Sequence, residues 1–179
     1  MATMTKAQLR TIADEMFKAW NDHDVQAILD HLTDDVVYTD PGLDEPARGK
    51  AAVRAHLEDT FSSFPDLALG EEDYHLFPGE DPSTAVTTRT LKATMTGSAL
   101  ETGIPATGKA VTLSGTNLIR FEDGLIREYV LVYDSLYLLQ QLGVMPKSDG
   151  LGFKAIVLAD VLVGRAEGMA GKAIQRIRR

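Results

Sequence analysis

The chain has 179 residues, a formal net charge of −8 and no cysteine. That length supports one full hydrophobic core and an appendage, and a composition of 44% hydrophobic and 25% charged residues excludes disorder throughout. The acidic balance argues against nucleic acid as a partner, and without cysteine there are no disulfides, thiol nucleophiles or thiolate metal sites. The N-terminal MATMTKAQLRTIADEM lacks an apolar signal-type segment and no 18 apolar residues run together, so the expectation is a soluble cytoplasmic protein.

Thr5 with Gln8 forms a capping-box pattern, and Leu9, Ile12, Ala13, Met16, Phe17 and Trp20 follow on one helical stripe. Asp24 caps a second, short helix with Val25, Ile28, Leu29 and Leu32 inward. Val36 to Thr39 reads as a strand, ended by Pro41 and Gly42. Gly49 to Phe64 reads as a third helix with Val53, Leu57 and Phe61 inward. From there to Asp134 the pattern is strand: Leu67 to Phe77, Thr84 to Thr96, then Lys109 to Glu122 joined to Leu125–Asp134 across the hairpin signal Asp123-Gly124. Gly97 to Gly108 is a loop. Helices first and an antiparallel sheet afterwards define an α+β fold.

Asp134-Ser135 opens a further helical stretch ended by Gly143. The expected division is a domain over residues 1–146 and a linker with a C-terminal helical extension over residues 147–179. That extension has an apolar run from Ala155 to Val163 and a basic end at Lys172, Arg176, Arg178 and Arg179. A helix packed on its own domain or on a second subunit is the favoured reading; a membrane-surface helix on anionic lipid is the sharper alternative.

Asp40 is the first residue with chemical interest. Period two places Val36, Tyr38 and Asp40 on one face, so an inward face would put this carboxylate in an apolar environment with a raised pKa. The other reading is an Asx-turn into Pro41-Gly42 at the surface, and local sequence leaves both open. Asn117 shares a strand face with Val111, Leu113, Ile119 and Phe121, where a buried amide is either a donor to a carbonyl or enolate oxygen or a core Asn bonded to backbone. Tyr129 and Tyr133 share a face with Arg127 and Leu131 and either line a cavity or pack the core. Asp134 is a pocket acid or a helix cap, the capping reading being the stronger. His56 lies at the edge of the third helix's apolar stripe, within reach of a pocket or half-exposed. The spacing of His23, His31, His56 and His75 gives no metal site, and no phosphate loop, dinucleotide fingerprint or GxSxG is present, so no cofactor is implied.

The segments LTDDVVYTDP, RGKAAVRAHL, GIPATGK, RFEDGLIREY and YDSLYLLQQLG, in that order from Ala13 to Gly143, resemble the nuclear transport factor 2-like superfamily, in particular its SnoaL-like polyketide cyclases and ketosteroid isomerases. The resemblance implies a cone-shaped α+β barrel, with N-terminal helices packed on a curved antiparallel sheet, and a homodimer. It implies Asp40 as the general base of a DP-turn, with Asn117 standing where those isomerases carry a protonated Asp and Met16 with Phe17 where they carry a Tyr. Asp134 matches the acid/base position of the cyclases. The expected function is then a cofactor-independent enzyme that abstracts a proton α to the carbonyl of a small hydrophobic compound, with Asp40, Asn117 and Asp134 catalytic and Trp20, Tyr38, His56, Tyr129 and Tyr133 shaping the pocket. The alternatives are epoxide opening by Asp40 with Asp134 or Glu71, and a non-catalytic binding or assembly module that associates through the tail.

Overall fold

The computed structural model describes residues 4–72, 74–147, 149–155 and 158. Helix α1 (Lys6–Asn21) starts at a reciprocal Thr5/Gln8 capping box, and α2 (Val25–Asp30) is capped by the Asp24 side chain on the Ala27 N–H at 2.9 Å. Both caps satisfy N–H groups that a helix start otherwise leaves without partners. Leu9, Met16 and Trp20 of α1 and Ile28 and Leu29 of α2 are buried in the core. Each such side chain contributes about 1.5–3 kcal/mol when fully buried.

The strands are β1 (Leu32–Thr39), β2 (Ala47–Arg48), β3 (Ala68–Leu69), β4 (His75–Pro78), β5 (Thr84–Thr94), β6 (Ala110–Glu122) and β7 (Leu125–Tyr133); α3 (Gly49–Ser63) follows β2 and α4 (Ser135–Gln141) follows β7. They form one curved, unclosed sheet in the order β2-β1-β7-β6-β5-β3, with β4 also on β5. The helices pack on it, giving the expected α+β architecture. The sheet is not wholly antiparallel, because β1 runs parallel to β7 with Tyr38 opposite Tyr129. That pairing brings the end of β1, and so Asp40, beside the end of β7.

Three local departures from the sequence pattern have physical causes. The stretch expected as one strand from Leu67 to Phe77 is two, since Leu69 pairs with Leu91 but His75 with Thr88, leaving more residues than β5 can pair at Arg89 and Thr90. In β7 a bulge at Arg127 puts both Ile126 and Tyr129 inward, which simple alternation forbids. Arg127 turns out to Asp35, bonding its carbonyl and its carboxylate at 3.1 Å. Finally, β1 begins at Leu32, directly after α2, and not at Val36.

The chain divides into one unit through Leu142 and a second from Gly143. Residues 151–155 of the second are helical, and most of the helix expected over Phe153 to Ile177 lies outside the described residues. Among the described residues no helix is long and apolar enough to cross a membrane.

The loop between β5 and β6 is docked onto α3 at both ends of its contact. The Gly97 N–H donates to the Ser63 carbonyl at 3.1 Å, and Asp59 accepts from the N–H groups of Leu100 and Glu101 at 2.9 and 3.3 Å. A Cβ on Gly97 would overlap the Ser62 carbonyl, which is backbone and has nowhere to go. Gly97→Ala is therefore expected to cost about 1–3 kcal/mol, read as a lower denaturant midpoint at unchanged slope; an unchanged midpoint would show that the loop does not need this close approach.

Candidate active site

The cavity lies in the first unit, between the concave sheet, α3, α4 and the β5–β6 loop, and has a volume of about 360 Å³. Its wall is apolar over most of its extent, from Leu91 and Met95 on the β5 side through Val111, Leu113 and Leu131 to Leu138. Polar groups gather at Asp40, where β1 ends. Because Pro41 and Gly42 terminate the strand, the Asp40 side chain turns back on its own backbone: Oδ1 accepts from the Gly42 N–H at 2.7 Å, while the Asp40 carbonyl accepts from the Leu43 N–H. The Asx-turn and the inward position are thus both present, with the side chain only 10% exposed.

The same Oδ1 accepts a hydrogen bond from the Tyr133 hydroxyl at 2.9 Å, and Oδ2 faces His56 Nε2 at 3.4 Å. His56 comes from α3 and is buried, its side chain 8% exposed. Its Nδ1 lies 2.7 Å from Oε2 of Glu101 in the β5–β6 loop. Four groups from four elements therefore form one chain: Glu101, His56, Asp40 and Tyr133.

The electrostatics follow from that chain. Burial pushes the Asp40 carboxyl up, but the His56 bond, the Gly42 N–H, the His56 charge and the Tyr133 hydroxyl outweigh it, so its pKa lies below the usual carboxylate value. The raised pKa expected from an apolar strand face does not occur, because the carboxylate is buried with donors. Burial pulls the His56 imidazole down, while its bonds to Asp40 and Glu101 and their charges raise it past that cost. Burial, the Asp40 charge and the Asp40 bond push the Tyr133 hydroxyl up, which keeps it a neutral donor. The pairing therefore favours the charged forms of Asp40 and His56 and the neutral form of Tyr133.

The other expected site residues are placed as follows. Trp20 lines the cavity, as do His56 and Tyr133. Tyr38 and Tyr129 are buried behind the polar cluster; their rings stack at 5.2 Å, and the Tyr38 ring lies 5.5 Å from that of His56. Asn117 is 1% exposed and donates to Thr87 Oγ1 at 2.8 Å; it borders a separate small void together with Tyr129 and Phe121, not the large cavity. Asp134 accepts from the Tyr137 N–H at 2.8 Å and caps α4. The pairing of Asn117 and Asp134 with Asp40 around one substrate therefore needs correction, since Asn117 lies farther along the same inward face of β6, beside the other void, and Asp134 is committed to the helix start. Sequence reasoning missed Glu101, which sits in a loop without periodicity, and Arg89, which alternation along β5 points to because it shares the inward parity of Ala85 and Thr87. Among the described residues no group of three or more His, Asp or Glu is arranged to hold a metal ion.

Solved structures with the same fold include AclR from Streptomyces galilaeus, at 24% identity and a TM-score of 0.67, covering 91% of this chain and 98% of that one. TsrD from Streptomyces laurentii matches at 25% identity and a TM-score of 0.65, over 79% of this chain and 99% of its own. The epoxide hydrolase/cyclase-like enzyme SalBIII of pyran ring formation in polyether salinomycin matches at 19% identity and a TM-score of 0.61, over 75% and 97%. Among curated proteins none matches the sequence. A sequence profile described as SnoaL-like polyketide cyclase matches residues 10–142, from the second turn of α1 to the end of α4 and so across every element that builds the cavity, and the chain belongs to that family.

Proposed function

We propose that the protein is a cofactor-independent enzyme that removes a proton α to the carbonyl of a small hydrophobic compound, leading to isomerisation or ring closure. The observation that carries this reading is a buried carboxylate at the wall of an apolar cavity, held ionised by three neighbouring groups. Asp40 is the base. His56 donates on one side to Glu101 and faces Asp40 on the other, so both its nitrogens are occupied and it serves to orient and charge-balance the carboxylate. Tyr133 donates to Asp40 in the resting site, and its neutral hydroxyl is the group that can turn to a substrate oxygen when Asp40 takes the proton. The apolar wall favours a hydrophobic substrate and excludes the water that would compete for the carbanion.

Epoxide opening would need a second free carboxyl beside Asp40. Asp134 caps α4, Glu101 is engaged by His56 and Asp59 accepts two backbone N–H groups, so the cavity favours enolisation. The assembly reading rests on the tail, which lies largely outside the described residues.

Two predictions follow from the Asp40 pairings. In deuterated buffer, a panel of apolar ketones and β-dicarbonyl compounds incubated with the protein should show α-hydrogen exchange, and Asp40→Asn should slow it by roughly 10²–10⁴-fold with cooperative unfolding retained. Exchange undiminished in that variant would remove Asp40 from the base role. The second concerns pH. His56 has its pKa raised by folding, so its pairing stabilises the fold fully below about pH 6.5 and the contribution is lost as pH climbs through the raised value. Asp40 has its pKa lowered, so its contribution is present above about pH 4 and disappears as pH falls through the lowered value. Denaturant unfolding should therefore show stability declining as pH rises from about 6.5 through the raised value, a decline that His56→Gln abolishes; the same decline in the variant would assign it to other groups.

A further inference from the structure

Arg89, on β5, is 6% exposed and stands between the two spaces, lining the large cavity and bordering the small void. Its guanidinium donates to the Tyr129 hydroxyl at 3.1 Å and lies 5.5 Å over the Trp20 ring. Among the described residues no carboxylate comes within 4.0 Å of it, although three acidic side chains share the cavity wall. Those three are otherwise engaged: Asp40 with His56 and Tyr133, Glu101 with His56, Asp59 with two backbone N–H groups. Of its inward neighbours, Thr87 already accepts from Asn117 through its hydroxyl, and Leu91, Leu113 and Leu131 on the cavity side offer no acceptor.

An arginine cannot shed its proton to escape burial, and a guanidinium has five N–H donors, of which one neutral hydroxyl satisfies a single one. Trp20 Nε1 and Ser63 Oγ, on residues that also line the cavity, are buried without hydrogen-bond partners among the described residues. Arg89 and Trp20 thus bring unpaired N–H donors next to an apolar volume, while the unpartnered acceptor Asn117 Oδ1 borders the small void and not the cavity. The ligand that would balance these donors brings its own anionic oxygens.

We propose that Arg89 is the binding site for a carboxylate borne by the hydrophobic substrate, so that the substrate class is a hydrophobic oxo acid. A carboxylate matches the planar fork of a guanidinium with two parallel hydrogen bonds, and cation burial strengthens them. The proposal deepens the proposed function by naming the substrate class and rests on it for the word substrate; the anion site itself is read by binding alone. Recognition at Arg89 would fix one end of the molecule while Asp40 works on another. The surface does not attract such an acid, since the chain is net negative, so selection falls to the buried cation.

Trp20 is the only tryptophan, and Arg89 lies on its ring, so its fluorescence reports binding at this point. The full-length protein is titrated with 2-naphthylacetate and with its methyl ester, by calorimetry and by Trp20 emission. The acid should bind roughly tenfold or more tighter than the ester, the range expected for a hydrogen bond to a charged group. Arg89→Met should abolish that preference and Arg89→Lys should retain part of it. Equal binding of acid and ester by the unaltered protein, no binding of the acid, or a preference that survives Arg89→Met would each overturn the proposal. The acid-against-ester comparison in the unaltered protein decides the matter even where Arg89→Met does not fold. Asp40→Asn should keep the preference while losing α-exchange, so failure of the anion site and failure of the base assignment are read separately.

Discussion

The contact between Asp40 and its donors ties the cavity wall together. β1 has to stop at that point, because Pro41 offers no N–H to a neighbouring strand, and the Asp40 carboxylate then collects the loose ends of three other elements: the Gly42 turn, the tip of β7 through Tyr133, and α3 through His56. Glu101 adds the β5–β6 loop as a fourth. The parallel β1–β7 pairing is what permits this, since it sets Tyr38 beside Tyr129 and carries the next inward residues of both strands to one place. Removing the carboxylate would leave His56 facing a gap and the Tyr133 hydroxyl without its acceptor.

A cavity of this size inside a small domain loses the dispersion contacts that a packed core would make, and apolar voids are destabilising in proportion to their volume. The chain offsets this around the rim. Caps at Thr5, Asp24 and Asp134 fix three helix starts, and Asn21 and His23 hold the backbone at Leu69 and Leu67 where α1 gives way to the sheet edge. Beside the cavity, the small void bordered by Asn117, Phe121 and Tyr129 is nearly filled, at about 20 Å³. The large volume is therefore kept open locally by the stiffness of its surroundings.

Much of the fold was legible because its signals are local. Capping side chains, the Asp123-Gly124 turn and the stripe of α1 each follow from a few adjacent residues, and each stands in the structure where alternation or periodicity puts it. What alternation could not supply is any shift in register. The bulge at Arg127 and the break between β3 and β4 depend on partners in other strands, and a single-strand pattern carries no record of them. The site divides the same way. Asp40 was legible from its turn, whereas Glu101 is placed by contacts across some forty residues, Asp59 gripping the loop backbone and His56 meeting its carboxylate. Asn117 was rightly read as inward, yet inward on this sheet means one of two separate spaces, and only the three-dimensional register tells which.

The protonation states complete the argument, because burial alone does not decide them. Three ionisable groups of the cluster are shielded from water, and each would on that account prefer to be neutral. Two of them do the reverse: the charged forms of Asp40 and His56 are favoured against burial because each is the other's partner and each has more, the Gly42 N–H and Tyr133 for the first and Glu101 for the second. Tyr133 alone follows burial and stays neutral, since its neighbour is already an anion. Arg89 stands outside this balance, with a phenol and an indole ring for company. Near Asp40 the wall thus sets two acidic side chains against one histidine, while Arg89 stands apart without a carboxylate, and the substrate proposed above would be apolar through its middle and negative where it meets the arginine.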